Sequence, residues 1–198
     1  LDGCRLALRK ENVVGPAEPI SAVVGGRVLG DIAKILADTE ENVSLCFTRS
    51  HVRMNIGQTR VVARLLEGEF IRYRQILPEE WQPRVMVDRA ELGSAIDRAS
   101  LIAREGKTNL VCFKIDGETL EVTSNSETGD MEEKMQVSTE GKDLTIAFNV
   151  RYITDVLKAL SDEQIVMRFN SNVSPCVICP VEGESYLYLV LPVRVFNA

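Results

Sequence analysis

Cys176 and Cys179 stand three residues apart, the spacing by which zinc sites and thiol oxidoreductases pair their sulfurs. Zinc needs a second ligand pair, and a redox pair belongs at a helix N-terminus, where the dipole lowers the thiol pKa. Here the pair lies in a strand-like run ending at Pro180, and alternation sends the two thiols to opposite faces. A structural role is expected, with a thiol-dependent oxidoreductase as the competing reading. The single histidine, His51, follows Arg49 and Ser50 at a turn and shares the polar side of its strand with Arg53 and Asn55. It is expected to face solvent, which leaves no partner for a nucleophile. Gly25 and Gly26 precede a helical pattern without the spacing of a dinucleotide or P-loop fingerprint, so they read as a cap. The acidic stretch Glu127 to Glu133 lacks the alternating ligands of a calcium loop and reads as part of a solvated loop, Ser124 to Glu133. No catalytic residue, metal or cofactor is expected.

Basic residues recur at regular positions. Arg27 and Lys34 are seven residues apart on one side of a helix, and Arg151 and Lys158 repeat the pair, with Asp31 and Asp155 between them. The bland reading is a solvated face with i,i+4 ion pairs. Weak basic contacts of this kind also suit a protein that slides past phosphates without reading bases.

The elements that must carry these residues come in copies. Gly25 to Asp38 reappears as Asn149 to Asp162, with Arg, Asp, Lys, Leu and Asp at matching positions, and a weaker copy spans Asp88 to Ile102. Each follows an apolar run, so a strand-then-helix unit repeats. In the first copy Val28, Leu29, Ile32, Ile35 and Leu36 form the apolar stripe. Val43, Leu45 and Phe47, then Val52, Met54 and Ile56, alternate with polar residues, and Gly57-Gln58 turns the chain into Val61 to Leu66. This is an antiparallel meander. The second helix starts at a capping-box-like Asp88 and Glu91, the third at Asn149. Asp116-Gly117 marks a hairpin, and Tyr186 to Val193 forms a hydrophobic last strand. The expected class is α+β, built of strand-helix-strand-strand-strand units with helices on one side of antiparallel sheets. Residues 1–73 would hold half of a domain and residues 74–198 a complete, internally duplicated one.

With 198 residues and 45% hydrophobic content, one or two packed domains are expected. The five cysteines are scattered and odd in number, which points to free thiols in the cytoplasm. A net charge of −6 disfavours simple coating of nucleic acid, and no apolar run reaches membrane-spanning length. The chain opens Leu-Asp-Gly directly into strand-like sequence, so it is expected to be a piece of a longer protein.

Four segments, in order, then resemble one family. Asp2-Gly3-Cys4-Arg5-Leu6-Ala7 is similar to the T-D-G-H-R-L-A segment of the bacterial DNA polymerase III beta subunit, the sliding clamp. Glu67 to Pro78 resembles its interdomain linker, and Phe148-Asn149-Val150-Arg151-Tyr152 with Asp155 and Leu157 resembles its F-N-x-x-Y-x-x-D-x-L pattern. Tyr188 to Arg194 resembles its C-terminal strand. The resemblance implies a DNA-clamp fold of three similar domains per subunit, two subunits forming a ring around duplex DNA. This chain would supply the later part of domain two and all of domain three. It implies a non-enzymatic processivity factor, a homodimer when complete, that tethers polymerase subunits, clamp loader and repair proteins through Q-L-x-L-F-like peptides. A generic protein-interaction scaffold is the remaining alternative.

Carried over by position, the peptide cleft would draw Gly3, Arg5 and Leu6 from the start of the chain and Ile71, Gln75 and Ile76 from the linker. Asn149, Tyr152, Val173 and Pro175 would join them, with Leu191, Pro192, Val193 and Arg194 from the last strand. Leu6, Ile76, Val173 and Val193 would bury the peptide's apolar anchors, while Asn149 and Arg194 would meet its polar ends. Cys4, Ile71 and Gln75 stand where the family commonly has histidine, proline and arginine, and Phe196 to Ala198 could extend over the cleft. The resemblance also places Arg27, Lys34, Arg98, Arg151 and Lys158 toward DNA, and Leu101 and Ile102 at the subunit contact.

Overall fold

Alternation of apolar and polar residues produces short strands, and stretches of helical spacing between them form helices. The computed structural model describes residues 1–15, 18–36, 42–77, 81–105 and 109–194. Contacts divide the chain into two compact units, Val13–Ile76 and a second made of Leu1–Asn12 with Leu77–Ala198.

Strand β1 (Arg5–Arg9) belongs to the second unit; β2 (Val23–Val24), α1 (Gly26–Leu36), β3 (Val43–Phe47), β4 (His51–Ile56) and β5 (Thr59–Leu66) make the first. The first unit's sheet runs β2-β5-β4-β3, an antiparallel meander as expected, and Gly57 takes φ 53° at the β4–β5 turn, where a side chain would be strained. Val52, Met54, Ile56 and Ala63 pack with Ile32. The apolar stripe of α1 is only partly covered. At roughly 100° per residue Ile32 sits at its centre, with Leu29 and Ile35 about 60° to either side. Those two flanking residues are 48% and 43% exposed.

The second unit contains β6 (Arg84–Asp88), α2 (Arg89–Glu105), β7 (Leu110–Asp116), β8 (Thr119–Ser126), β9 (Gly129–Gln136) and β10 (Ser138–Glu140). It continues with β11 (Leu144–Asn149), α3 (Val150–Ala159), β12 (Gln164–Arg168), β13 (Cys176–Pro180) and β14 (Tyr186–Val190). Two sheets form, β1-β14-β13-β12-β6-β10 and β11-β7-β8-β9. Each copy of the repeat lends its first strand to the meander of the other: β6 pairs with β12, and β11 pairs with β7. Neither copy can therefore close its sheet alone, which is why the duplication makes one unit. One core joins the sheets to Leu92, Ile96 and Ala99 of α2 and to Ile153 and Leu157 of α3. Phe113 and Phe148 meet within it at 5.5 Å, tilted by 59°.

Two sequence expectations need correction here. Ser124 to Glu133 is not a loop: β8 runs to Ser126 and β9 starts at Gly129. Polar pairs replace hydrophobic alternation as the local signal, with Lys134 of β9 bonded across the ribbon to Glu121 of β8 at 3.4 Å and along its own strand to Glu132 at 2.8 Å. The last strand ends at Val190, not Val193, because Pro192 has no N–H for the ladder. The Asp88 cap is present, its Oδ1 accepting from the Glu91 N–H at 2.8 Å. The end of the first repeat, Ala37 and Asp38, and the Phe196 to Ala198 extension lie outside the described residues.

Candidate functional site

Leu6 stands opposite Leu189 and Arg5 opposite Val190, so β1 lies against the last strand of the second unit. Beyond the ladder the Leu191 N–H donates to the Cys4 carbonyl at 2.9 Å, and the Val193 N–H donates to the Ala147 carbonyl at 2.8 Å. These bonds draw the tail from β1 across to β11, where α3 begins. Asn149 caps that helix, its Oδ1 accepting from the Arg151 N–H at 3.0 Å. One lone pair of that oxygen is taken by the cap, and the amide nitrogen remains a donor. One turn in, the Arg5 guanidinium lies 4.3 Å over the Tyr152 ring. Arg5, Leu6, Asn149, Tyr152, Leu191, Pro192 and Val193, far apart in sequence, are brought together within this unit.

Arg5 is held from two sides. Its Nε and Nη2 donate to Asp2 at 2.8 and 2.6 Å, and its Nη1 donates to Asp155 at 2.6 Å. The bond from Arg5 holds the Asp2 carboxyl below the usual carboxylate range, and Asp2 in turn raises the Arg5 pKa. A cavity of about 250 Å³ opens beside this network, lined by Leu6, Ala7, Val156, Tyr188 and Leu189 with Asp2, Arg5 and Asp155. A second, of about 470 Å³, includes Cys112, Thr123, Ala147, Asn172 and Val193. Leu6 itself is only 4% exposed and forms a floor. Val173 is exposed and Pro175 half-buried in the connection between β12 and β13, while Arg194 is exposed on the tail. Gly3 is exposed ahead of β1; Ile71, Gln75 and Ile76 are exposed in the first unit, Gln75 within a 3-10 turn at Tyr73–Gln75. Asp2, Asp155, Val156 and Tyr188 were absent from the expected set. Asp155 did stand in the F-N-x-x-Y-x-x-D pattern, but its helical spacing read it as a partner of Arg151.

The basic helix faces differ from the expected i,i+4 pairing. Asp31 bonds Lys34 at 3.4 Å, one turn along α1, and Asp155 turns to Arg5. Among the described residues Arg27, Arg151 and Lys158 are exposed and make no ion pair. Arg98 is exposed but donates two hydrogen bonds to Glu133 of β9, so its charge is matched locally. Between α2 and α3 a groove of about 210 Å³ is lined by Arg89, Gly93, Ser94, Asp97, Thr154 and Lys158. Leu101, near the end of α2, is 63% exposed, and Ile102 is half-buried.

The alternative chemistry finds less support. Cys176 and Cys179 are both buried within β13, and burial pushes both thiols up, away from thiolate. His51 is exposed at the start of β4, its Nδ1 2.9 Å from the Ser50 hydroxyl. Among the described residues no cluster of metal-ligating side chains occurs, and no helix is long and apolar enough to cross a membrane. A thiol reagent is expected to label the exposed Cys4 and Cys46 rapidly, leaving Cys176 and Cys179 unlabelled until urea unfolds the chain. Fast native labelling of Cys179, read by peptide mass spectrometry, would revive the oxidoreductase reading.

Models of the DNA polymerase III beta subunit match this chain, the central domain over residues 1–71 and the C-terminal domain over residues 74–194. The chain is 32% identical over 197 residues to the beta sliding clamp of Staphylococcus aureus, covering 98% of this chain and 52% of that protein. It is similar to the solved DNA polymerase sliding clamp from Bacillus subtilis at 34% identity and a TM-score of 0.93, over 98% of this chain and 52% of that one. For the DNA polymerase III beta subunit of Thermotoga maritima the identity is 32% and the TM-score 0.89, over 98% and 53% of the two chains. The chain spans about half the length of these relatives.

Proposed function

The chain belongs to the DNA polymerase III beta subunit family, and on that premise we propose that it is the later part of a DNA sliding clamp. Residues 1–73 are the later part of the second clamp domain and residues 74–198 the third, with β1 crossing over to the sheet that ends in β14. The complete subunit is a non-enzymatic processivity factor of the cytoplasm that dimerises into a ring around duplex DNA. The exposed cations Arg151 and Lys158 on α3, with Arg27 on α1, none of them ion-paired among the described residues, meet phosphates without reading sequence, and Leu101 belongs to the contact between subunits.

The observation that carries the reading is the convergence of Arg5, Tyr152 and the Leu191 to Val193 tail around the start of α3. An aromatic wall, exposed apolar side chains and a charged rim are what a short Q-L-x-L-F-like peptide requires, and through such peptides polymerase, clamp loader and repair proteins are tethered. A fluorescein-labelled Q-L-x-L-F peptide is expected to gain anisotropy with this chain and to lose it when unlabelled peptide competes. A peptide with both leucines and the phenylalanine changed to serine should not compete; equal competition would overturn the cleft. For the ring, the complete subunit should stay on nicked circular DNA and slip off once the circle is linearised.

A further inference from the structure

Asp31 and Asp155 occupy the same place in two copies of the repeat, yet they do different things. On α1 Asp31 bonds Lys34 within its own helix; on α3 Asp155 bonds neither Arg151 nor Lys158 and reaches Arg5, 150 positions away. The difference follows from β1, which lies against β14 beside α3 and presents Arg5 to it. A guanidinium is a rigid planar fork, and here its two edges are taken by separate carboxylates. Asp2 takes the Nε edge, three residues away on the same strand segment, where it also accepts the backbone N–H groups of Cys4 and Arg5. Asp155 takes Nη1 from α3, three residues after Tyr152, so ring and carboxylate stand one turn apart on the same helix. Asp2 orients Arg5 relative to its own segment, whereas Asp155 bonds it to the helix that carries the ring, a ring whose hydroxyl also meets the Cys4 thiol.

We propose that Asp155 is a positioning residue of the peptide cleft: it holds the Arg5 guanidinium across the Tyr152 ring and so keeps that ring standing as a wall. The inference rests on the cleft reading above and extends it to a residue outside the expected set. The Asp155 carboxylate is largely exposed, so an ion pair there adds little to stability, and its contribution is orientation.

Asp155→Asn keeps size and helix while removing the charge. In the anisotropy assay it should weaken Q-L-x-L-F peptide binding about fivefold, and Arg5→Met at least as much. The double variant should bind no more weakly than Arg5→Met alone, and the urea midpoint of Asp155→Asn should match the parent. In the unliganded chain, the NMR resonances of the Tyr152 ring and the Arg5 Nε–H should both shift in Asp155→Asn. Parent-like affinity in Asp155→Asn, or losses that multiply in the double variant, would overturn the proposal. If the parent chain itself binds no peptide, the cleft reading falls and the hold of Asp155 on Arg5 and the Tyr152 ring is judged by NMR alone: unmoved Tyr152 and Arg5 resonances overturn it, and shifts in both support it.

Discussion

Phe148→Ala should lower the stability of the second unit by about 3–5 kcal/mol, a large share of the roughly 5–15 kcal/mol that holds a typical domain together. Phe148 is fully buried in β11, tilted against Phe113 of β7 and paired in register with Val111. Truncation removes a ring from the seam where both copies of the repeat interlock, because β11 is the strand the second copy lends to the first. The cavity cannot close without breaking that exchange. Urea denaturation followed by circular dichroism should show a lower midpoint at unchanged slope. The site should suffer as well, since Phe148 directly precedes the Asn149 cap that starts α3. A midpoint within experimental error of the parent would mean that the strand exchange does not hold the unit together.

Tyr152→Ala should weaken Q-L-x-L-F peptide binding by at least tenfold while leaving the urea midpoint nearly unchanged. Tyr152 is half-buried, packs on the edge of the core and carries the Arg5 guanidinium on its ring, the position of an anchoring aromatic rather than of a core residue. Leu6→Asp is a poorer probe of the same cleft. Leu6 is buried in the β1–β14 ladder, so a carboxylate there would detach β1 and confuse lost binding with lost structure. Leu191→Asp, on the exposed tail, separates the two effects: weakened binding at a parent-like midpoint is expected. Unchanged affinity in both Tyr152→Ala and Leu191→Asp would move the cleft elsewhere on the molecule.

Much of this architecture was readable from periodicity because the forces behind it are local. Val52, Met54 and Ile56 announce β4 by alternation, Asp88 and Asn149 announce two helix starts by their caps, and the repeat announces the duplication. Each signal spans a few residues, and the structure keeps each of them. The end of the β8–β9 hairpin was hidden because polar residues fill it, Asn125 facing Asp130 and Ser126 facing Gly129, where apolar alternation gives no signal. Leu29 and Ile35 read as core from their helix, but how much of a stripe is covered depends on what packs against it.

The site divides along the same line. Tyr152 and Arg5 could be singled out from motifs, residue by residue, without knowing that one stacks on the other. That contact, the tail's bonds to Cys4 and Ala147, and the choice of Asp155 between Lys158 and Arg5 are tertiary. All but the bond to Ala147 depend on β1 reaching a sheet whose other strands begin at Arg84, and spacing along a helix carries no information about a strand that arrives from elsewhere in the chain. Local chemistry determined which elements form and which side chains they offer. Long-range strand pairing decided which of those side chains meet, and therefore that Asp155 bonds Arg5 and that, among the described residues, Arg151 and Lys158 make no ion pair.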